Sequence, residues 1–96
     1  MIESTIKILH ESGLGARPAA LFVQVASRFN SRIWVGIGSK KINAKSIMGI
    51  LSLGIALNDE IIIMIKGDDE KDAMDALIKL VKGNFTHIPD IVNKED

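Results

Sequence analysis

The sequence predicts an α+β domain: a four-stranded antiparallel sheet with three helices on one face, in the order βαββαβα. Two observations lead to this prediction. Apolar residues alternate with polar residues in four short segments, as in half-buried strands, and they recur at helical spacing in three others. The chain has 96 residues and is 47% hydrophobic, which fits one small domain with a single core.

The first strand and the first helix are indicated by different periodicities. Ile6 and Ile8 alternate with polar residues, which predicts a strand. Pro18 then marks the start of a helix over residues 16 to about 28. The apolar residues at helical spacing in this segment are Ala19, Phe22, Val23 and Ala26.

The next two strands form a predicted hairpin. Ile33, Val35 and Ile37 alternate with other residues along the second strand, and residues 40–43 form a short third strand. Gly38-Ser39 lies between them as a two-residue turn, and glycine at its first position suits the primed turns that hairpins prefer.

A second helix, a fourth strand and a third helix complete the order. The second helix covers residues 47 to about 53, and the fourth strand covers residues 60–66. The acidic stretch Gly67-Asp68-Asp69-Glu70 supplies a break and capping carboxylates for the third helix, which explains it better than a metal site does. The buried stripe of the third helix comprises Ala73, Leu77, Leu80 and Val81.

The composition excludes several classes of function. Twelve acidic and twelve basic residues give a formal net charge of zero, so we expect no direct binding to nucleic acid or to an anionic membrane. The chain has no cysteine, which excludes disulfides, thiolate metal sites and cysteine catalysis. The first residues lack the features of an export signal, and the longest apolar run, residues 61–65, is too short to cross a bilayer. We therefore expect a cytoplasmic protein without a cofactor or metal.

The start of the first helix suits an anion but lacks a nucleophile. In Gly13-Leu14-Gly15-Ala16-Arg17-Pro18, the free backbone N–H groups of a helix terminus lie beside Arg17, which suits a phosphate or carboxylate. Covalent transfer of a phosphoryl group would also need a side chain that can carry it, and Gly15 has none. This segment can bind a phosphate but cannot carry one.

The second helix is apolar on nearly all sides, which a single buried stripe does not explain. Ile50 and Leu53 can face the core, whereas Ile47, Met48 and Leu51 then point elsewhere. Such a helix is either loosely packed or carries a docking patch. Adjacent exposed apolar residues that include a methionine favour the docking patch.

Ser46 stands at the edge of that patch. A serine at this position is expected to be the N-cap of the second helix. Its hydroxyl oxygen then accepts a hydrogen bond from the backbone, which contributes about 1 kcal/mol. A phosphate on the same hydroxyl would place about −1.5 to −2 charges at the positive end of the helix dipole. We therefore expect the fold to tolerate phosphorylation of Ser46, and a partner on the patch to sense the change.

Two separated motifs resemble the HPr family of the bacterial sugar phosphotransferase system. One is the segment 13–19, Gly-Leu-Gly-Ala-Arg-Pro-Ala, and the other is the segment 43–49, Asn-Ala-Lys-Ser-Ile-Met-Gly. The similarity extends from about residue 2 to residue 83, which leaves residues 84–96 as a C-terminal extension. It implies the HPr-like open-faced β-sandwich, in agreement with the predicted element order.

The resemblance also implies a specific loss of function. In the HPr family the residue before the Ala-Arg-Pro triplet is the histidine that receives phosphate from enzyme I and passes it to enzymes IIA; this chain has Gly15 there. The Crh-type (catabolite repression HPr) branch also lacks that histidine and keeps the regulatory serine, so this chain is similar to that branch. A non-enzymatic regulator is therefore implied, in which HPr kinase/phosphorylase phosphorylates Ser46 and the product acts as corepressor of a LacI-type catabolite control repressor.

One partner-binding surface is implied for both of these partners. It combines the first and second helices, and its residues are Arg17, Ala20, Leu21, Gln24, Ile47, Met48 and Leu51. Independently of the resemblance, Ala20, Leu21 and Gln24 lie off the core stripe of the first helix. The alternative is a phosphocarrier HPr whose carrier site is inactivated or replaced. Neither His10 nor His87 matches a family position or lies near a second metal-ligand type, so we expect neither to replace the carrier.

The helix-free face of the sheet has an unusual composition. Trp34 on the second strand, and Ile62 and Met64 on the fourth, alternate with the inward residues and so point outward. An exposed tryptophan with two apolar neighbours predicts a cover. One candidate cover is the extension, which carries Phe85, Ile88, Ile91 and Val92. Another is the same face of a second subunit in a homodimer. The plainer interpretation is an apolar sheet face that nothing covers.

Overall fold

Seven elements follow one another in the computed structural model, which describes residues 1–86. They are β1 (Ile2–Lys7), α1 (Ala16–Ala26), β2 (Arg32–Ile37), β3 (Lys40–Asn43), α2 (Ile47–Ser52), β4 (Glu60–Lys66) and α3 (Glu70–Lys82). The predicted order βαββαβα is confirmed. Only boundaries shift: β1 extends back to Ile2, whereas α1 and α2 end one or two residues earlier than the pattern indicated.

The sheet is antiparallel throughout, in the order β1-β4-β2-β3. The central strands β4 and β2 pair with Ile63 opposite Val35, and both side chains lie in the core. Directly opposite residues share a face of the sheet, so Trp34 and Met64, the next pair along, lie on the other face. The predicted outward set is therefore confirmed.

The core fills the space between the inner face of the sheet and the three helices. The alternating residues of β4 and the stripe of α3 are fully or nearly fully buried; they are Ile61, Ile63, Ile65, Ala73, Leu77, Leu80 and Val81. In α1 the burial differs in one place from the predicted stripe, because Val25 is buried and Val23 is only half-buried. The core also extends past α3 to Phe85, which is 6% exposed.

Two glycines permit close approaches of backbone that a side chain would prevent. Gly13 has a φ of +61°, and a Cβ there would lie 2.2 Å from the carbonyl oxygen of Ile55. Gly67 has a φ of +155°, and a Cβ there would lie 2.7 Å from the Cα of Ser31. The first contact holds the loop before α1 against the segment after α2, and the second holds the start of α3 against the loop before β2.

The acidic stretch before α3 acts differently from the prediction. Asp69 occupies the N-cap position of α3, but its carboxylate makes no capping hydrogen bond, so the capping interpretation is wrong for this residue. Its oxygens accept instead from the backbone N–H of Asn30 (2.8 Å), the backbone N–H of Ser31 (3.0 Å) and the Ser31 hydroxyl. Desolvation raises the pKa of Asp69, but these hydrogen bonds outweigh it and hold the pKa below its usual range. Glu70 accepts the Gly67 N–H at 3.1 Å.

Candidate functional site

Gly15 is the N-cap residue of α1 and has no side chain to offer. Its backbone is extended, with φ −72° and ψ −167°, and its carbonyl accepts the Ala19 N–H at 2.8 Å. A Cβ at this position would lie 3.3 Å from the Ser12 carbonyl oxygen, a contact that needs a shift of only a few tenths of an ångström. Unlike Gly13, this position does not require glycine for its conformation. The backbone conformation therefore does not explain why residue 15 is glycine. The consequence of glycine here is chemical, because the residue has no side chain that could react.

The start of α1 keeps the donors that suit an anion. No side chain caps this helix and no acidic residue lies in its first turn. Arg17 is exposed and forms no salt bridge with any residue in the range 1–86. The backbone N–H groups of this terminus and the guanidinium of Arg17 can therefore attract a phosphate. Gly15, however, has no side-chain atom to which a phosphoryl group could be attached.

Ser46 forms the predicted N-cap of α2. Its Oγ accepts the Gly49 N–H at 3.1 Å, and its carbonyl accepts the Ile50 N–H at 3.1 Å. The side chain is half-buried, and its O–H donates to no other residue among those that the structure describes. The Ser46 hydroxyl oxygen thus accepts one hydrogen bond from the first turn of the helix, and its proton is not engaged by a described residue.

Two contacts fix the segment that leads into Ser46. Asn43 turns the chain with its side-chain oxygen, which accepts the Lys45 N–H at 2.8 Å. The Lys45 ammonium group donates to the Phe29 carbonyl at 2.6 Å and so ties the segment before α2 to the loop after α1. The Asn at two residues before Lys45 is a signal for the turn, whereas the Phe29 contact spans 16 positions and has no local signal.

The docking patch on α2 is exposed as predicted. Ile47 is 39% exposed, Met48 74% and Leu51 40%, whereas Ile50 and Leu53 are buried. Three of the six residues of α2 are thus large apolar side chains in contact with solvent. Such a patch is typical of an adaptable interface, because methionine and branched aliphatic side chains repack at low cost.

The solvent-facing stripe of α1 lies on the same side of the molecule as this patch. Arg17, Ala20 and Gln24 are exposed and Leu21 is half-buried, at the spacing of one helical face. Helices α1 and α2 pack against each other on the helix-bearing face of the sheet. We call these four residues, together with Ile47, Met48 and Leu51, the α1–α2 surface. The sequence-predicted partner residues therefore lie on two adjacent helices.

His10 has a structural role in the loop between β1 and α1. Its Nδ1 accepts the Ser12 N–H at 3.1 Å, and its ring lies edge-on to the Phe85 ring with centroids 5.8 Å apart. His87 lies outside the described residues. Within the range 1–86, no three histidine, aspartate or glutamate side chains are grouped so that they could hold a metal ion, and no helix is long and apolar enough to span a bilayer.

Comparison with known proteins places these features in a family. A family model described as the PTS HPr component phosphorylation site matches residues 2–83. The HPr-like protein Crh of Halalkalibacterium halodurans is 48% identical over 82 residues, which are 85% of this chain and 98% of that protein. The crystal structure of HPr-C-His from Thermoanaerobacter tengcongensis is 52% identical and superposes with a TM-score of 0.88 over 91% of this chain and 98% of that one. The crystal structure of Bacillus subtilis Crh, a domain-swapped dimer, is 40% identical with a TM-score of 0.70 over 88% of this chain and 97% of that one.

Proposed function

Because this chain belongs to the HPr family, we propose that it is a regulatory HPr-like protein that is switched by phosphorylation of Ser46. HPr kinase/phosphorylase adds the phosphate, and the phosphorylated form binds a LacI-type catabolite control repressor as its corepressor in carbon catabolite repression. The protein is not itself an enzyme in this scheme, has no phosphocarrier activity and works in the cytoplasm.

The observation that carries the proposal is the pairing of Gly15 with Ser46. Residue 15 has a conformation that accepts a side chain, yet no nucleophile stands there. The half-buried Ser46 carries a hydroxyl beside three exposed apolar residues. Similarity to a protein named for the Crh branch supports a regulator over a carrier.

The geometry around Ser46 supports a local switch rather than a change of fold. The cap hydrogen bond to Gly49 orients the Ser46 side chain at the start of α2, next to Ile47 and Met48. A phosphate there adds about −1.5 to −2 charges and three acceptor oxygens, and it is favoured at the positive end of a helix. A partner can therefore use the apolar patch as its anchor and read the phosphate at the rim with cationic side chains.

Binding of the repressor tests this proposal directly. The protein is phosphorylated with HPr kinase and ATP, and its affinity for the repressor is measured by calorimetry before and after. One to three new charge-assisted hydrogen bonds predict that phosphorylation tightens binding by about tenfold or more. The Ser46→Ala variant should show no gain, and Ser52→Ala, at the other end of α2, should behave as wild type. Equal affinity of both forms would contradict the proposal.

A phosphocarrier HPr with an inactivated or replaced carrier site is the second candidate. The uncapped start of α1 with the exposed Arg17 favours it, because a phosphate site remains there without its nucleophile. In this case some other residue would accept phosphate from enzyme I, or none would. Incubation with enzyme I and labelled phosphoenolpyruvate separates this candidate from the regulator.

A further inference from the structure

The helix-free face of the sheet carries a small apolar cluster. Trp34 lies opposite Met64, and Ile62 lies on the same face. Of the candidate cover that the sequence suggests, Phe85 lies in the core, and Ile88, Ile91 and Val92 lie outside the described residues. The helix-bearing face has a more specific feature, in the first turn of α2.

Gly49 is an unexpected residue in so short a helix. Helix α2 has only six residues, and glycine is the least favourable residue after proline inside a helix. Gly49 does not need the conformational freedom of glycine, because its φ is negative. A Cβ at this position would lie 3.4 Å from the Cβ of Ile42 and 3.4 Å from both the Cβ and the Oγ of Ser46, which is van der Waals contact. Alanine would therefore fit here and would suit the helix better.

Capping does not explain glycine at residue 49 either. This is the third residue after the N-cap Ser46, where a glutamate or glutamine side chain commonly reaches back to the backbone N–H of the cap. The Ser46 N–H already donates to the Asn43 carbonyl at 3.1 Å, so it needs no such side chain. The backbone N–H that Ser46 Oγ accepts would be present in any residue except proline. Glycine alone provides space beside the Ser46 hydroxyl.

This space is part of the volume that a phosphoryl donor must enter. In the transfer, Ser46 Oγ forms a bond to the γ-phosphorus of ATP, the bond from that phosphorus to the bridging oxygen of ADP breaks, and the hydroxyl proton passes to a base of the kinase. Reacting atoms lie about 3–3.5 Å apart before such a step. A methyl group on residue 49 would lie 3.4 Å from Oγ, in the same shell as the donor phosphorus. It would close one side of a serine that is already half-buried.

We propose that Gly49 controls access to Ser46: its missing side chain keeps the hydroxyl open to phosphoryl transfer and leaves room for the phosphate that results. This inference rests on the proposed phosphorylation of Ser46. Gly49 is half-buried, whereas the docking patch next to it is exposed. The two features therefore act separately, because the docking patch holds the partner and Gly49 lets the reaction proceed.

Kinase kinetics of Gly49→Ala test the proposal on the full chain. With HPr kinase and ATP, kcat/KM should fall about tenfold or more, because a displacement of reacting atoms by about 1 Å can cost about a hundredfold. The loss should lie in kcat, with the KM for the protein within about twofold of the wild-type value, because the docking patch is unchanged. Met48→Asp, at the adjacent residue, should instead raise KM. Ser52→Ala, at the other end of α2, should be phosphorylated like the wild type.

Thermal unfolding separates access from packing. Alanine in place of glycine inside a helix should raise the Tm by about 2–8 °C. A more stable protein that is a poorer substrate excludes a folding defect as the cause. If the Tm falls instead, the methyl group does not fit between Ser46 and Ile42. Glycine would then serve the packing of α2 on β3, and the proposal would be overturned.

Thiol chemistry measures access to residue 46 without the kinase. Because the chain has no cysteine, Ser46→Cys carries a single thiol at the site. Its alkylation by iodoacetamide, at a pH where the thiol is ionised, should slow about threefold or more when Gly49→Ala is added. Ser39→Cys, exposed in the turn between β2 and β3, should react at the same rate with and without Gly49→Ala.

The two assays distinguish failure of this inference from failure of the proposed function. If the kinase labels the wild type and Gly49→Ala equally fast, or if the thiol rate is unchanged, Gly49 does not control access, and regulation through Ser46 still stands. If the kinase labels neither chain while the methyl group slows the thiol, the proposed function is wrong, and Gly49 still controls access to residue 46.

Discussion

Met48→Asp is expected to weaken partner binding while leaving the fold almost unchanged. Met48 is 74% exposed, so only about a quarter of its side chain is buried in the free protein. Complete burial of a methionine side chain contributes about 1.5–3 kcal/mol, so the substitution should lower the free energy of unfolding by less than about 1 kcal/mol. A carboxylate in the first turn of α2 is also favoured by the helix dipole, which offsets part of this loss.

The expected loss in binding is larger, because the exposed part of Met48 is what a partner would bury. About three quarters of the side chain, or roughly 1–2 kcal/mol, is available to the interface. The introduced carboxylate must also lose its water, and it lies two residues from the phosphate on Ser46, which repels it. Since 1.4 kcal/mol is a factor of ten, we expect binding to HPr kinase to weaken about tenfold and binding of the phosphorylated form to the repressor to weaken more.

Calorimetry or surface plasmon resonance with both partners measures these losses. Ile62→Asp is the matched control, because it places the same charge on an apolar residue of the opposite face of the sheet. Thermal unfolding of each variant separates a binding defect from a folding defect. If Met48→Asp binds both partners as tightly as the wild type, or no more weakly than Ile62→Asp does, the α1–α2 surface is not the interface.

Further predictions concern Asp69, Ser46 and Gly15. Asp69→Ala should lower the free energy of unfolding by about 3 kcal/mol, because the buried Ser31 loses its charge-assisted hydrogen bonds. The control Asp68→Ala should change this free energy by less than about 0.5 kcal/mol, and urea unfolding measures both values. Since the pKa of Asp69 is lowered in the folded state, its stabilisation is complete above the unfolded pKa of about 4 and is lost as the pH falls through the folded value; the pH dependence of unfolding should weaken in Asp69→Ala. Ser46→Ala should cost about 1 kcal/mol of stability, the value of one N-cap, by thermal unfolding. Gly15→His should fold and regain at least partial phosphate transfer from enzyme I, because residue 15 accepts a side chain and the start of α1 is uncapped; phosphohistidine detected by labelling checks this.

Local patterns predicted most of the fold. Alternation assigned the faces of β2 and β4 correctly, including the outward position of Trp34, because a strand has a fixed side-chain period of two. The sequence predicts the Ser46 cap because the capping hydrogen bond reaches only three residues along the chain. The sequence likewise predicts the exposed apolar residues of α2, since a short helix cannot bury apolar residues on every side.

Contacts between distant segments could not be predicted in this way. The position of Asp69 before α3 predicts a cap, but its hydrogen-bond partners lie 38 and 39 residues away, and no local spacing indicates them. Phe85 belongs to one of the candidate covers that the sequence suggests for the sheet, whereas the structure places it in the core, with its ring against His10. At the candidate site, the hydrogen bond from Lys45 to the Phe29 carbonyl joins segments 16 residues apart, so no local pattern predicts it.

Paired phosphorylation of the full chain measures the proposed role most directly. One sample receives enzyme I and labelled phosphoenolpyruvate, and the other receives HPr kinase and labelled ATP. The regulator predicts label from the kinase alone, lost in Ser46→Ala and retained in Ser52→Ala. Label from phosphoenolpyruvate on the wild-type chain, or kinase label that survives in Ser46→Ala at the native rate, would contradict it.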